Sequence, residues 1–116
     1  MFRFEELEIW KLAIEYAEEL YNLIEKLPAS EKYNLSDQLK KAALSISNNI
    51  AEGSGTATIK NFKSFLDISI CSTLETVNLL HFAKRISYIN EEERLRFYQK
   101  AEVLIRKIRA FKNSLK

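Results

Sequence analysis

The stretch Ala42 to Gly55, AALSISNNIAEGSG, decides how the rest of this chain is interpreted. It is typical of a helix with two stripes: Ile46 and Ile50 are apolar and one turn apart, while polar side chains recur at the same helical spacing. The stretch ends in Gly53-Ser54-Gly55, which holds the only two glycines of the protein. We expect Gly53 to end the helix in the left-handed conformation that other residues disfavour. The pattern predicts one helical hairpin before this point and another after it.

Composition limits the class of protein. The 116 residues suffice for a single domain, 1–116, with one core, and 47% apolar and 29% charged residues are ordinary for a globular chain. Two glycines and one proline are too few for a chain rich in turns and strands, which favours an all-α fold.

Charge and cysteine content say less about function. The net charge is +2, but residues 1–33 hold eight acids against four bases, whereas residues 90–116 hold four acids against eight bases. The single cysteine, Cys71, excludes an internal disulfide and fits a reducing cytoplasm.

The acidic start MFRFEELEIW is unlike a signal peptide, and no apolar run approaches transmembrane length. We therefore expect a cytoplasmic protein without a membrane anchor.

Apolar residues recur at steps of three and four in four segments, which predicts helices at about 5–27, 35–53, 59–87 and 91–113. Pro28 stops the first segment because proline cannot continue the helical hydrogen-bond ladder. Asn90 and Glu93 form a capping-box pattern at the start of the last. Short connections between four helices predict an antiparallel up-and-down four-helix bundle.

The third predicted helix has more apolar surface than a monomeric bundle needs. One face suits the core, and a second face carries Phe65, Ile68, Leu79 and Phe82. We expect these four residues to form an oligomer interface, most simply with another copy of the chain. The alternative is that this helix lies centrally and is covered on both sides within the monomer.

A set of residues along the chain resembles a known family. These residues are Leu7, Trp10, Leu27-Pro28, Glu31, Tyr33, Leu35, Gln38-Leu39, Ser45-Ile46, Asn49-Ile50-Ala51-Glu52-Gly53, Phe62, Phe65-Leu66, Ser72, Glu75 and Tyr88. The pattern is similar to the bacterial four-helix bundle proteins encoded within intervening sequences of 23S ribosomal RNA genes, over about residues 4–90. It also resembles the accessory variability proteins of diversity-generating retroelements. The resemblance implies an antiparallel bundle that assembles into a homopentamer, and a role in binding nucleic acid.

Five polar residues are placed to meet between the second and third helices. Ser45, Asn49 and Glu52 share one helix face, and Ser72 and Glu75 share a face of the next helix. We expect a structural polar network that fixes helix register, in which Asn49 and Glu52 bond backbone amides of the following loop.

The alternative for this cluster is a metal site in which Glu52 and Glu75 are ligands. Bundle di-metal sites use Glu-x-x-His motifs on two helices, and the only histidine, His81, lies six residues beyond Glu75. We therefore expect no metal and no cofactor. Nucleophile and phosphate-loop patterns are likewise missing, so we expect a protein that is not an enzyme.

Basic side chains are the remaining signal for a partner. The candidates for binding nucleic acid are Lys40, Lys41, Lys60, Lys63, Arg106, Lys107, Arg109 and Lys112. The four lysines lie near predicted helix N-termini, where the helix dipole disfavours positive charge, so another role is needed to explain them. The first hypothesis is a homo-oligomer that binds RNA or DNA; the second is a protein-interaction scaffold or accessory subunit without nucleic-acid contact.

Overall fold

Four antiparallel helices make up most of the chain, and the computed structural model describes all 116 residues. The helices are α1 Glu8–Ile24, α2 Leu35–Ser54, α3 Ile59–Arg85 and α4 Glu91–Ser114. There is no β-strand, and the molecule measures 45 × 24 × 21 Å. The predicted all-α up-and-down bundle is confirmed.

The first helix is shorter than its predicted range of 5–27. Residues Arg3–Glu6 form a separate 3₁₀ turn, and Leu7 is extended with φ −77° and ψ 127°. The break lets the Phe4 ring fold back onto Trp10, with ring centroids 5.1 Å apart. At the other end α1 stops at Ile24. The Leu27 amide donates a 3₁₀-type hydrogen bond to the Ile24 carbonyl, three residues earlier, at 3.0 Å just before Pro28.

Two of the helix starts follow directly from local sequence. The Thr58 hydroxyl accepts a hydrogen bond from the Asn61 amide at 3.1 Å at the start of α3. At the start of α4, Asn90 Oδ1 accepts from the Glu93 amide at 2.8 Å while Glu93 Oε1 accepts from the Asn90 amide at 3.0 Å. The capping box predicted there is confirmed.

Each helix packs against two neighbours in the order α1, α2, α3, α4, with α2 and α3 in the closest contact and α1 and α4 in the loosest. The apolar core runs along the centre, and its largest fully buried side chain is Phe97, whose ring meets Tyr16 edge-on at 5.9 Å. We call the end with the loops 25–34 and 86–90 the two-loop end. The end with residues 55–58 and both chain termini is the termini end.

Gly53 has a different role from the predicted one. Helix α2 continues through it to Ser54, and neither glycine has a positive φ, so the predicted left-handed ending is wrong. Gly53 is buried, and a Cβ atom there would lie 2.7 Å from Phe65 Cβ and 2.9 Å from Phe62 Cδ1. Glycine is needed because α3 crosses α2 at this point with no room for a side chain.

The left-handed residue of this fold is Ser87, which has φ 65° just after α3. Its amide bonds to the Lys84 carbonyl at 3.0 Å, and the Tyr88 amide bonds to the Ala83 carbonyl at 2.9 Å. This pair of bonds is the Schellman ending, in which glycine is the favoured left-handed residue.

We therefore expect Ser87→Gly to raise the free energy of unfolding by about 1 kcal/mol, because glycine adopts this conformation without a steric cost. Urea unfolding followed by circular dichroism measures it. The matched control is Ser64→Gly, the same change at an exposed position inside α3, which should lower stability by about 0.5–1 kcal/mol. Equal losses in both variants would show that the strain at residue 87 is negligible.

Candidate nucleic-acid interface and oligomer surface

The predicted polar network forms in part. Ser45 Oγ and Ser72 Oγ are 2.8 Å apart, and Asn49 Nδ2 donates to the Ser45 carbonyl at 2.8 Å and to Ser45 Oγ at 3.0 Å. Glu52 and Glu75 are exposed and make no side-chain hydrogen bond or ion pair, so the prediction is wrong for them. Asn49 also bonds back along α2 and makes no bond to the loop. Hydroxyl and amide groups tolerate this half-buried edge, whereas carboxylates are too costly to desolvate without a cationic partner.

A second, deeper chain of hydrogen bonds was not predicted. The Tyr16 hydroxyl of α1 lies 2.7 Å from Thr76 Oγ1 of α3, and Thr76 in turn donates to the Thr73 carbonyl at 2.6 Å. Ser69 Oγ donates to the Ile46 carbonyl of α2 at 2.9 Å. Burial raises the pKa of Tyr16 to about 12, opposed by its bond to Thr76. This chain ties three helices together across the core.

The acidic residues, His81 and Cys71 do not assemble into a metal site. No group of three His, Cys, Asp or Glu side chains is close enough to hold an ion. His81 is exposed and its ring meets Tyr98 edge-on at 6.1 Å. Cys71 is an exposed free thiol.

The structure separates the eight candidate basic residues into two groups. Lys40 and Lys41 lie in the first two turns of α2, at the two-loop end, whereas Lys60 and Lys63 begin α3 at the termini end. The length of α2 between Lys41 and Ser54 keeps the groups about 20 Å apart. The other four candidates lie on the last half of α4, also toward the termini end: Arg106, Lys107, Arg109 and Lys112.

Intramolecular contacts occupy half of these candidates. Three of the lysines form ion pairs, at distances of 2.9 Å for Lys41 with Asp37, 2.7 Å for Lys107 with Glu8 and 2.7 Å for Lys112 with Asp67. Lys40 lies 5.4 Å from the centre of the Tyr21 ring. The Lys107 ammonium donates a hydrogen bond to the Glu8 carboxylate, and its positive charge stabilises the ionised form. Both effects lower the pKa of Glu8.

The four remaining bases share one side of the molecule. Lys60, Lys63, Arg106 and Arg109 have no carboxylate within 4.0 Å. The Lys112–Asp67 pair aligns α4 with α3, so helical periodicity places all four on the outer surface of these two helices. They extend over about 20 Å along the bundle. We call this set the basic stripe.

Sequence reasoning missed one cation at the same end. The Arg3 guanidinium lies 5.2 Å above the Phe62 ring, held there by the 3₁₀ turn that precedes α1. Its position depends on that turn, which the periodic pattern did not reveal.

The predicted interface residues on α3 differ in exposure. Ile68 and Phe82 are 46% and 53% exposed, while Leu79 is half-buried beside them. Phe65 is also half-buried, and it packs against Gly53. One turn beyond Phe82, Ile86 is 39% exposed and continues the surface. We call Ile68, Leu79, Phe82 and Ile86 the α3 stripe; it faces outward beside α2.

The sequence pattern of the 23S rRNA-intervening sequence protein family matches residues 5–110, nearly the full length. The chain belongs to this family. Among functionally curated proteins, none matches the chain.

The fold of this chain is similar to that of a solved crystal structure. The crystal structure of a protein of unknown function from the S23 ribosomal protein family of Bacteroides thetaiotaomicron superposes with a TM-score of 0.83 at 21% identity. The match covers 91% of this chain and 99% of the other. At this identity the relative supports the bundle fold. No helix of the chain combines the length and hydrophobicity that a membrane crossing requires.

Proposed function

We propose that this protein is a non-enzymatic, cytoplasmic homo-oligomer, pentameric as the family resemblance implies, that binds nucleic acid, RNA in particular. The observation that supports this function is the basic stripe, in which Lys60, Lys63, Arg106 and Arg109 are all free of carboxylate partners. Unpaired cations along one side of two helices suit a phosphate backbone, which binds mainly by charge.

Assembly strengthens this surface. A single stripe of four cations gives weak binding, but a closed ring repeats it in every subunit, and a strand that reaches one copy meets the next at high effective concentration. The exposed apolar α3 stripe supports assembly because monomers rarely leave such a surface uncovered.

The test is binding of single-stranded RNA and DNA at several salt concentrations, compared between the native protein and a variant with all four stripe residues changed to glutamine. We expect the variant to lose at least about tenfold in affinity at low salt. The slope of log affinity against log salt concentration should flatten by about 3, since each lost phosphate contact of a single strand removes about 0.7 from it.

The matched control changes four bases outside the stripe to glutamine: Lys26, Lys32, Lys84 and Arg96. It removes the same charge and should keep most of the affinity. Equal losses in both variants would overturn the role of the stripe. No binding at low salt, together with a protein partner that survives nuclease treatment in a pull-down, would support the scaffold function instead.

A further inference from the structure

We propose that the α3 stripe of one copy docks into the groove between α1 and α2 of the next copy, so that the oligomer closes head to tail; this rests on the proposed homo-oligomer. The groove has a volume of about 380 Å³, and its apolar lining is Ile14, Ala17, Tyr21 and Leu44. Leu44 is 42% exposed, so the groove, like the stripe, is an apolar surface without a partner in the monomer.

Charge favours this groove over the other sides of the bundle. Glu18 lines it and Glu25 lies one helical turn beyond Tyr21, and neither has a cation within 4.0 Å. Beside the stripe, Arg85 lies one turn from Phe82 and is also unpaired. Arg85 and Glu25 are both at the two-loop end, so docking brings these two charges of opposite sign together. The unpaired acid within the stripe, Glu75, lies at about the height of Lys40, which is beside Tyr21 of the groove and has no carboxylate partner.

The two surfaces overlap in height along the bundle. The Ser45–Ser72 hydrogen bond of 2.8 Å aligns Leu44 of the groove with Cys71 at the middle of α3. The Lys40–Tyr21 contact places the other end of the groove near the start of α2. At a rise of about 1.5 Å per residue, Leu79 and Phe82 of the stripe lie about 10–15 Å nearer the two-loop end than Cys71. This is about the height of Tyr21 and of Glu25 beyond it, so the two surfaces overlap in a ring whose axis runs parallel to the bundles.

The direction of the two surfaces favours a closed ring. The α3 stripe faces the α2–α3 side of the bundle, and the groove faces the adjacent α1–α2 side. Contacts on adjacent sides turn each successive subunit and close a small ring, whereas contacts on opposite sides extend into a filament. The groove of about 350 Å³ between α1 and α4 lies opposite the stripe, so docking there would not close a ring.

Docking on these two sides fixes which helices remain outside. Helix α2 lies between the two contact sides and turns toward the ring axis, and α4 lies at the opposite corner and turns outward. The basic stripe, carried by α4 and the start of α3, stays uncovered. The docking therefore leaves each copy's phosphate surface free on the outside of the ring.

The test uses Cys71, which is exposed at the edge of the stripe and is the only native thiol. The Leu44→Cys variant adds a second thiol to each copy, in the groove and at about the height of Cys71 along the bundle. We expect a short bis-maleimide to link Cys71 of one copy to position 44 of the next and give a ladder of covalent multiples of 13.6 kDa up to the full ring. Asn22→Cys, an exposed position in the same groove, provides a second site if Leu44→Cys weakens assembly.

Two comparisons complete the test. The native protein should give no covalent dimer, because head-to-tail docking keeps the Cys71 thiols apart. The control Val103→Cys places a thiol on the opposite, α1–α4 side, where it is 37% exposed, and should give no ladder. A native dimer through Cys71 would show that two α3 stripes face each other, and a ladder from Val103→Cys would show the opposite groove to be the docking site; either result overturns the proposal.

Light scattering on the same samples separates this proposal from the proposed function. An oligomeric mass without a ladder from either groove variant would overturn the docking and leave the homo-oligomer standing. A mass of 13.6 kDa would overturn both.

Discussion

Replacing Gly53 with alanine is expected to lower the free energy of unfolding by about 2 kcal/mol, despite the higher helix propensity of alanine. The new Cβ would lie 2.7 Å from Phe65 Cβ, an atom fixed to the backbone of α3, so a rotamer change does not relieve the overlap. The two helices would have to move apart where they pack most closely. Urea unfolding followed by circular dichroism measures the loss.

Gly55→Ala is the matched control for this prediction. It makes the same chemical change two residues later, where φ is −95° and the nearest atom to a new Cβ is the Glu52 carbonyl oxygen at 3.7 Å. We expect a change within about 0.5 kcal/mol. A Gly53→Ala variant as stable as Gly55→Ala would show that α2 and α3 separate at little cost and would contradict the close approach.

Replacing Thr76 with valine is the second large expected effect, a loss of about 2 kcal/mol. Valine has nearly the shape of threonine but offers no hydroxyl, so the buried Tyr16 hydroxyl, 2.7 Å from Thr76 Oγ1, loses its only hydrogen-bond partner. The cost comes chiefly from the group left unsatisfied.

A double-mutant cycle with Tyr16→Phe isolates this contribution. Tyr16→Phe alone should cost about 1 kcal/mol, since Thr76 keeps its bond to the Thr73 carbonyl. The stability loss of the double variant should be about 1 kcal/mol smaller than the sum of the two single losses, because neither hydroxyl is then left unpaired. Strict additivity would mean that the hydroxyls do not interact in solution.

The number, order and approximate ends of the helices could be predicted from the sequence, since apolar periodicity, Pro28, Thr58 and the Asn90 capping box act within a few residues of one another. The errors arose where local signals compete with packing. Apolar periodicity extends α1 back to residue 5, but Leu7 is extended, so Arg3–Glu6 form a separate 3₁₀ turn whose Phe4 ring folds back onto Trp10. The preference of glycine for positive φ predicts the left-handed helix end at Gly53, but Ser87 adopts that conformation.

The candidate site was predictable to a smaller extent. Helical spacing placed Ser45, Asn49 and Ser72 together, and it also suggested Glu52 and Glu75, which lie slightly further around the helices and reach solvent. The Tyr16–Thr76 bond was missed because the two residues are 60 positions apart and threonine resembles valine in an apolar pattern. Rotations of a few tens of degrees about a helix axis decide such contacts, and sequence spacing does not determine them.

The sequence by itself determined that this protein is a four-helix bundle and which family it resembles, because both depend on local patterns of residues. Only the tertiary structure decided that Gly53 is required for the α2–α3 crossing and that five of the eight candidate bases lack a carboxylate partner. Those properties depend on how the helices are aligned and rotated against each other. The balance of many weak contacts between distant residues sets that alignment.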